Sequence, residues 1–275
     1  MPLQLRNNEA VGLLSADFQK RTEPNFAWQN IVSMMQMAPG KWGVWLMSGF
    51  DGTGQCLDIS GNGLTLGMAG GVDYDYLGLV PFVDLDGTSD YLAKGSHAAF
   101  DITATEGYVQ TSRQGVAVTD RQGLTLVAWV HSDVGNIGAA VVSKWEDNSN
   151  NRSYLLNVGV AGDYNFNISS LGTAATTVTV ATGVALTQDT WTFLCGTFRP
   201  GSSIDLWVND TRYTQATALA AIFASTVNFY VGRRDTGAAT VDWDGYISIV
   251  GLYAMQWSEP LIKAFYNHSR HLYGV

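Results

Sequence analysis

Hydrolysis of a glycosidic bond needs two carboxylates flanking it, one to protonate the leaving oxygen and one to act as nucleophile or base. The chain has five glutamates, Glu9, Glu23, Glu106, Glu146 and Glu259, and they are scattered. Glu146 is followed by Asp147 in a loop-like run, and Glu259 stands at the start of a helical stretch. The histidines, His97, His131, His268 and His271, lack the close spacing of metal ligands. A Gly-x-Ser-x-Gly elbow and a Gly-x-x-x-x-Gly-Lys phosphate loop are both absent. Cys56 and Cys195 lie far apart without catalytic or metal spacing, and Cys195 alternates within an apolar run, as a reduced core thiol would. The expectation is a protein that is not an enzyme.

Binding is the chemistry that remains. Trp42, Trp45, Trp129, Trp191 and Trp207 fall in strand-like runs and read as core. Tyr74, Tyr76, Tyr108, Trp145, Tyr213 and Trp243 lie at or near loops, where an aromatic face could meet a sugar ring. Tyr108 sits in the long stretch between Phe100 and Gly123, and Trp145 precedes the polar turn Asp147-Asn148-Ser149-Asn150-Asn151-Arg152. Tyr108, Trp145 and Arg152 are therefore the candidate glycan-binding residues. Calcium, which takes oxygen ligands, is the one cofactor that the many aspartates suggest.

The elements that must hold these residues are strands. From Lys41 onward, short runs of alternating apolar residues are separated by Gly, Asn, Asp and Ser. The clearest are Lys41 to Met47, Val80 to Leu85, Leu124 to Val130 and Thr190 to Phe198. Ten or more strands without intervening helices predict a sandwich or a barrel. Ahead of them, Pro24 to Met37 reads as a helix closed by Ala38-Pro39-Gly40; near the C-terminus, Ser258 caps a second helix that runs to Asn267. The stretch from Phe100 to Gly123 is long for a β loop and reads as an inserted hairpin or flap. Residues 1–40 are thus an N-terminal arm, a segment for anchoring or oligomerisation, and residues 41–275 a single domain.

Charge narrows the partners. Fifteen basic against 24 acidic residues give a net charge of −9, so no nucleic acid is expected to bind, since that needs a dense cationic surface. No run approaches the ~18 apolar residues of a membrane span, so no membrane crossing is expected. The first nine residues lack a basic segment followed by an apolar one, so a standard secretory signal is not expected.

Several phrases, in order, resemble the laminin-G-like jelly-roll domains of the concanavalin A-like lectin/glucanase superfamily. They include Leu57-Asp58-Ile59-Ser60-Gly61-Asn62-Gly63, Asp84-Leu85-Asp86-Gly87-Thr88-Ser89-Asp90-Tyr91, Leu124-Thr125-Leu126-Val127-Ala128-Trp129-Val130, Val142-Ser143-Lys144-Trp145 and Trp243-Asp244-Gly245-Tyr246. The resemblance runs from about residue 42 to residue 270 and implies an all-β fold: an antiparallel jelly-roll β-sandwich with a short N-terminal arm or helix and a short C-terminal helix. It also implies a structural calcium ion near the Asp-Gly turn and the late Trp-Asp-Gly strand, which nominates Asp86, Asp242 and Asp244. The same aspartates equally suit turns that bond their own backbone. The Glu-x-Asp-x-(x)-Glu strand of the superfamily's retaining glucanases is missing, which leaves a divergent glycoside hydrolase as the weakest reading.

The chain is also similar to laminin-G-like structural proteins of tailed phages. That similarity implies a virion structural protein, such as a capsid decoration or fibre-associated module, on the virion surface. In this reading residues 1–40 bind copies of the chain or other virion proteins, and the jelly roll displays a glycan-binding surface. The alternative is a secreted or cell-surface carbohydrate-binding module.

Overall fold

A computed structural model describes residues 22–38, 40–47, 54–78, 80–102, 109–111, 117–119 and 123–275. Two sheets face each other. The first runs, edge to edge, Thr211–Ala216, Ser203–Val208, Trp191–Arg199, Leu124–Ser132, Asp244–Tyr253, Val80–Asp86 and Asp73–Leu77, with Lys41–Trp45 also paired to Asp244–Tyr253. The second runs Thr177–Ala185, Asp163–Ser169, Asn151–Val158, Ala140–Glu146, Phe229–Val231, Tyr91–Lys94, Leu66–Ala69 and Gln55–Cys56. Strands remote in sequence are neighbours in both sheets, and the pairing is antiparallel apart from a contact of Glu146 with Asp235. This is the jelly-roll sandwich that the sequence implied. The expected insertion carries a small hairpin, in which Val109–Thr111 pairs with Ala117–Thr119.

Strand alternation divides the apolar residues between two cores. On Leu124–Ser132, Leu126, Ala128 and Val130 point between the sheets and meet Trp45, Tyr154, Phe166, Leu194 and Phe229. Val127 and Trp129 point the other way, into a second core on the outer face of the first sheet, with Phe193, Cys195, Trp207 and Ile249. Both faces of this strand are buried, and so its sequence is a continuous apolar run. At Gly196 an added Cβ would lie 2.7 Å from the Phe166 ring, so only glycine lets the facing sheet approach there.

Two helices cover the outer face. Helix α1, Thr22–Met37, buries Trp28, Ile31 and Met35 against it, and the Tyr253 hydroxyl donates to the Met35 carbonyl at 3.3 Å. Helix α2, Glu259–Ser269, follows the Ser258 N-cap with proline in its first turn and buries Ile262, Phe265 and Tyr266. Trp129 links this cover to the sheet: its indole N–H donates to Ser269 Oγ at 3.0 Å, and its ring stacks on Tyr273 with centroids 4.0 Å apart. Cys56 and Cys195 are both free and buried, and burial pushes the Cys56 thiol up to about 12.

Polar residues of the family phrases fix turns and joints. The Asp58 carboxylate accepts from the backbone N–H groups of Val44, Ser60 and Leu64. The Lys144 ammonium, fully buried, lies 3.1 Å from Asp101 and donates to the carbonyls of Val227 and Ser225. Burial lowers its pKa, while Asp101 opposes that shift.

Ile31 is fully buried in the outer core. Ile31→Ala should lower unfolding free energy by about 2–5 kcal/mol in urea denaturation, as expected for a deleted core side chain. Met37→Ala, at a side chain 76% exposed, should change it little; equal effects would show that α1 is not part of the folded unit.

Candidate functional site

The structure brings Trp145 and Arg152 together across a strand pair, with the guanidinium 6.0 Å from the indole centroid. Trp145 is only 4% exposed. Its N–H donates to Asp147 Oδ1 at 2.9 Å, and the same carboxylate holds Arg152 Nε at 3.3 Å and Arg234 Nη2 at 2.5 Å. Arg152 also donates to the Asp147 carbonyl. Arg234, which sequence reasoning missed, thus completes a closed knot with no open indole face. Tyr108 lies outside the described residues. Of the remaining loop aromatics, Trp243 is fully buried in the inter-sheet core, whereas Tyr74 and Tyr76 are exposed.

The three aspartates nominated for calcium do not converge. The Asp86 carboxylate accepts from the N–H groups of Thr88, Ser89 and Asp90 and from the Thr88 hydroxyl, at 2.6 to 3.1 Å, which holds it well below the usual carboxylate range. Asp242 forms a two-point pair with Arg233 at 2.5 and 2.6 Å, and that guanidinium lies 3.6 Å from the Tyr91 ring centroid. Asp244 faces Asp86 across the strand pair, and its pKa is raised by burial, by Asp133 and by Asp86. The donors of Asp86, Asp242 and Asp244 therefore do not form one calcium-binding set. Among the described residues, one group has ligand atoms within 4.8 Å of one another: His131, Asp133 and Asp189. Register assembles this acidic end, since Asp73, Asp84, Tyr246, His131 and Trp191 pair in turn across five strands. The Asp84 pKa is raised by burial and then by Asp133, Asp73 and Asp244.

At the far end of the Trp191–Arg199 strand, about 27 Å away for eight residues of extended chain, lies a cleft of about 350 Å³. Its walls are the Thr197 to Asp205 hairpin, Arg212 and the first turn of α2. Asp205, with a side chain 2% exposed, is the buried centre. Both its oxygens accept from Arg212 Nη2 at 3.1 Å, and Thr197, Ser203 and Gln256 donate to Oδ2 at 3.4, 3.3 and 3.5 Å. A buried carboxylate persists only with such partners. The Trp207 ring lies under two cations, Arg212 at 5.9 Å and Lys263 at 5.6 Å. Glu259 is paired with Lys263 at 2.7 Å, and this lowers its pKa. Trp257 also lines the cleft; its indole N–H is buried and has no acceptor among the described residues.

Sequence reasoning passed over this cleft. A usable signal was present: Asp205 and Trp207 share one face of a strand, and the turn at Asn209-Asp210 returns Arg212 opposite Trp207. An aspartate within an otherwise apolar strand must find a cation or become protonated.

A family model for the concanavalin A-like lectin/glucanases superfamily, Laminin_G_3, matches residues 103–262, more than half of the chain. The chain belongs to that superfamily. The receptor binding domain of a botulinum neurotoxin C/D mosaic serotype has a similar structure, with a TM-score of 0.59 and 10% identity over 83% of this chain and 51% of that one. Domain 4 of AbnA, a GH43 extracellular arabinanase from Geobacillus stearothermophilus in complex with arabinotriose, gives 0.54 and 11% over 76% of this chain and 91% of that one. The binding domain of botulinum neurotoxin DC in complex with rat synaptotagmin II gives 0.58 and 11% over 83% and 51%. The chain spans about half the length of the neurotoxin domains, and these likenesses establish the fold. A search of curated protein sequences finds no match.

The acidic end yields a pH prediction. A carboxyl raised in the folded state opposes folding above its folded pKa, and this penalty is relieved as pH falls through that value toward the unfolded one. Asp84→Asn should therefore raise Tm at pH 7 in low salt, with a smaller gain in high salt and less still near pH 4, by calorimetry. A lowered Tm at pH 7 would mean that Asp84 has a favourable partner.

Proposed function

We propose that this member of the concanavalin A-like superfamily is a glycan-binding domain without catalytic activity, and that its sugar site is the cleft at Asp205. One observation carries the reading. Hydroxyls of Ser202, Ser203 and Ser258 and a fixed Asp205–Arg212 pair meet in one concave space, over the covered indoles of Trp207 and Trp257. A pyranose or furanose ring offers hydroxyl edges, which such a polar lining can bond. The fold shared with an arabinanase domain in complex with arabinotriose supports this reading.

The carboxylates of the cleft support a binding role over hydrolysis. A general acid must be free to hold and release a proton near its working pH. Asp205 is pinned by Arg212, and Glu259 by Lys263 with a lowered pKa. Neither is suited to protonate a leaving oxygen.

A second reading, attachment of the domain to a larger surface such as a virion through residues 1–40, is favoured by Met37. This apolar side chain is 76% exposed at the end of α1, beside the buried Met35. The extracellular or cell-surface setting of a carbohydrate-binding module would use the cleft in the same way.

The protein should bind a subset of a glycan array and show saturable heat by calorimetry with those sugars. Ser202→Trp, at an exposed turn on the cleft wall, should abolish binding and leave Tm within a few degrees. Binding that survives this substitution would place the sugar elsewhere.

A further inference from the structure

We propose that two copies of this chain pair through the Thr177–Ala185 strand, edge to edge and antiparallel, so that the second sheet continues from one copy into the other. This goes beyond the glycan-binding reading and does not depend on it. Of the four outermost strands in the order of the two sheets, three carry a feature that discourages such pairing. Gln55–Cys56 is two residues long, Asp73–Leu77 carries Asp73 and Asp75, and Thr211–Ala216 carries Arg212. Thr177–Ala185 is nine residues long and has neither charge nor proline. Among the described residues, the backbone of residues 178–181 bonds only to the adjoining strand Asp163–Ser169. In an antiparallel pair alternate residues turn their N–H and C=O away from the neighbour, so this edge offers donors and acceptors to a further strand. Past Ala181 a bulge shifts the register, and the regular edge ends there.

Charge and the apolar side chains at the two ends of this edge decide what it can meet. Residues 164–188 and 213–232 contain no Asp, Glu, Lys, Arg or His. The two runs adjoin where Thr177–Ala185 packs against Thr211–Ala216 and where the Phe223 N–H donates to the Ser169 carbonyl at 2.9 Å. In a chain with a net charge of −9, this is a flank on which two copies can meet without setting carboxylates against one another. Leu171, exposed, stands in the connection just before the strand, and Val184, also exposed, lies just past its regular part. Val160, exposed too, is in the turn beside Val184, which the Leu186 N–H ties to the strand by donating to the Gly162 carbonyl at 2.9 Å. Antiparallel pairing about a two-fold axis brings the start of one strand to the end of the other, so Leu171 of each copy comes to Val184 of the other. One apolar contact is thereby made twice. An extended peptide from another protein would use the edge but gives no reason for matched aliphatic side chains at its two ends.

Analytical ultracentrifugation of the full chain over about a hundred-fold range of concentration should show a monomer passing to a dimer and no larger species. Hydrogen exchange at residues 178–181 should be slower in the concentrated protein than in the dilute one. Leu171→Asp and Val184→Asp, each at an exposed side chain, should weaken the dimer about ten-fold or more and leave the Tm of the dilute protein unchanged. Leu171→Asp combined with Val184→Lys should recover the dimer, since opposite charges then meet at both contacts. A protein that stays monomeric throughout would overturn the proposal. So would a dimer indifferent to both single substitutions, which would put the contact on another surface such as residues 1–40. Loss in the single variants without recovery in the combined one would overturn the antiparallel two-fold pairing, as would open-ended assembly.

Discussion

The structure depends on covering the outer face of its first sheet. Val127, Trp129, Phe193, Cys195, Trp207 and Ile249 all point away from the inter-sheet core and are nonetheless buried. A sheet with two apolar faces cannot leave one to water, since each large side chain gains about 1.5–3 kcal/mol on burial. Helices α1 and α2 and the tail through Tyr273 supply the cover, and the Trp129 bond to Ser269 and stack on Tyr273 pin it in place. The cover stops near the Ser203–Val208 strand. There the first turn of α2 stands over Trp207, and the cleft is the space between helix end and hairpin. The candidate site thus follows from how far the helical cover extends.

Where the cover ends, the sheet has to change from apolar to polar, and Asp205 makes the change. It lies two residues before Trp207 on the same face, buried, with Arg212 bridging both its oxygens and resting over the indole. A buried ion pair is weak evidence for stability, because apolar residues of similar volume often hold a fold as well or better. What such a pair does provide is a fixed polar floor. Arg212, Thr197, Ser203 and Gln256 hold the carboxylate from several sides.

Much of the fold was legible because it is written in local chemistry. Asp58 and Asp86 fix turns through their own neighbours' N–H groups, and such bonds leave short phrases in the sequence. Runs such as Leu124 to Val130 were legible as strands from their alternation, although this one is buried on both faces. The site was less legible, since it depends on register and on packing at a distance. Trp145 and Arg152 are near in sequence and meet across one strand pair, yet Arg234, which closes the knot around Asp147, enters from a strand more than eighty residues on. The group of His131, Asp133 and Asp189 likewise forms only once Trp191 is set opposite His131. A loop position suggested that Trp243 was exposed, but in the antiparallel sandwich its side chain points inward, and its N–H reaches the His131 carbonyl at 3.2 Å.

The separation of charge follows from the same geometry. Strand ends carry the turns, and turns favour aspartate because its short side chain can bond the backbone around it. Many of the aspartates therefore gather where turns crowd together, beside Asp84 and Asp133, and raise the pKa values of Asp84 and Asp244 there. The opposite end is closed by a helix instead. A helix N-terminus presents unpaired N–H groups and a partial positive charge, and the arginines of the adjoining hairpin add to it. An acidic chain with few charges thus crowds carboxylates at one end and pairs them with cations at the other. The sign of its net charge describes the first end and says nothing of what the second can hold.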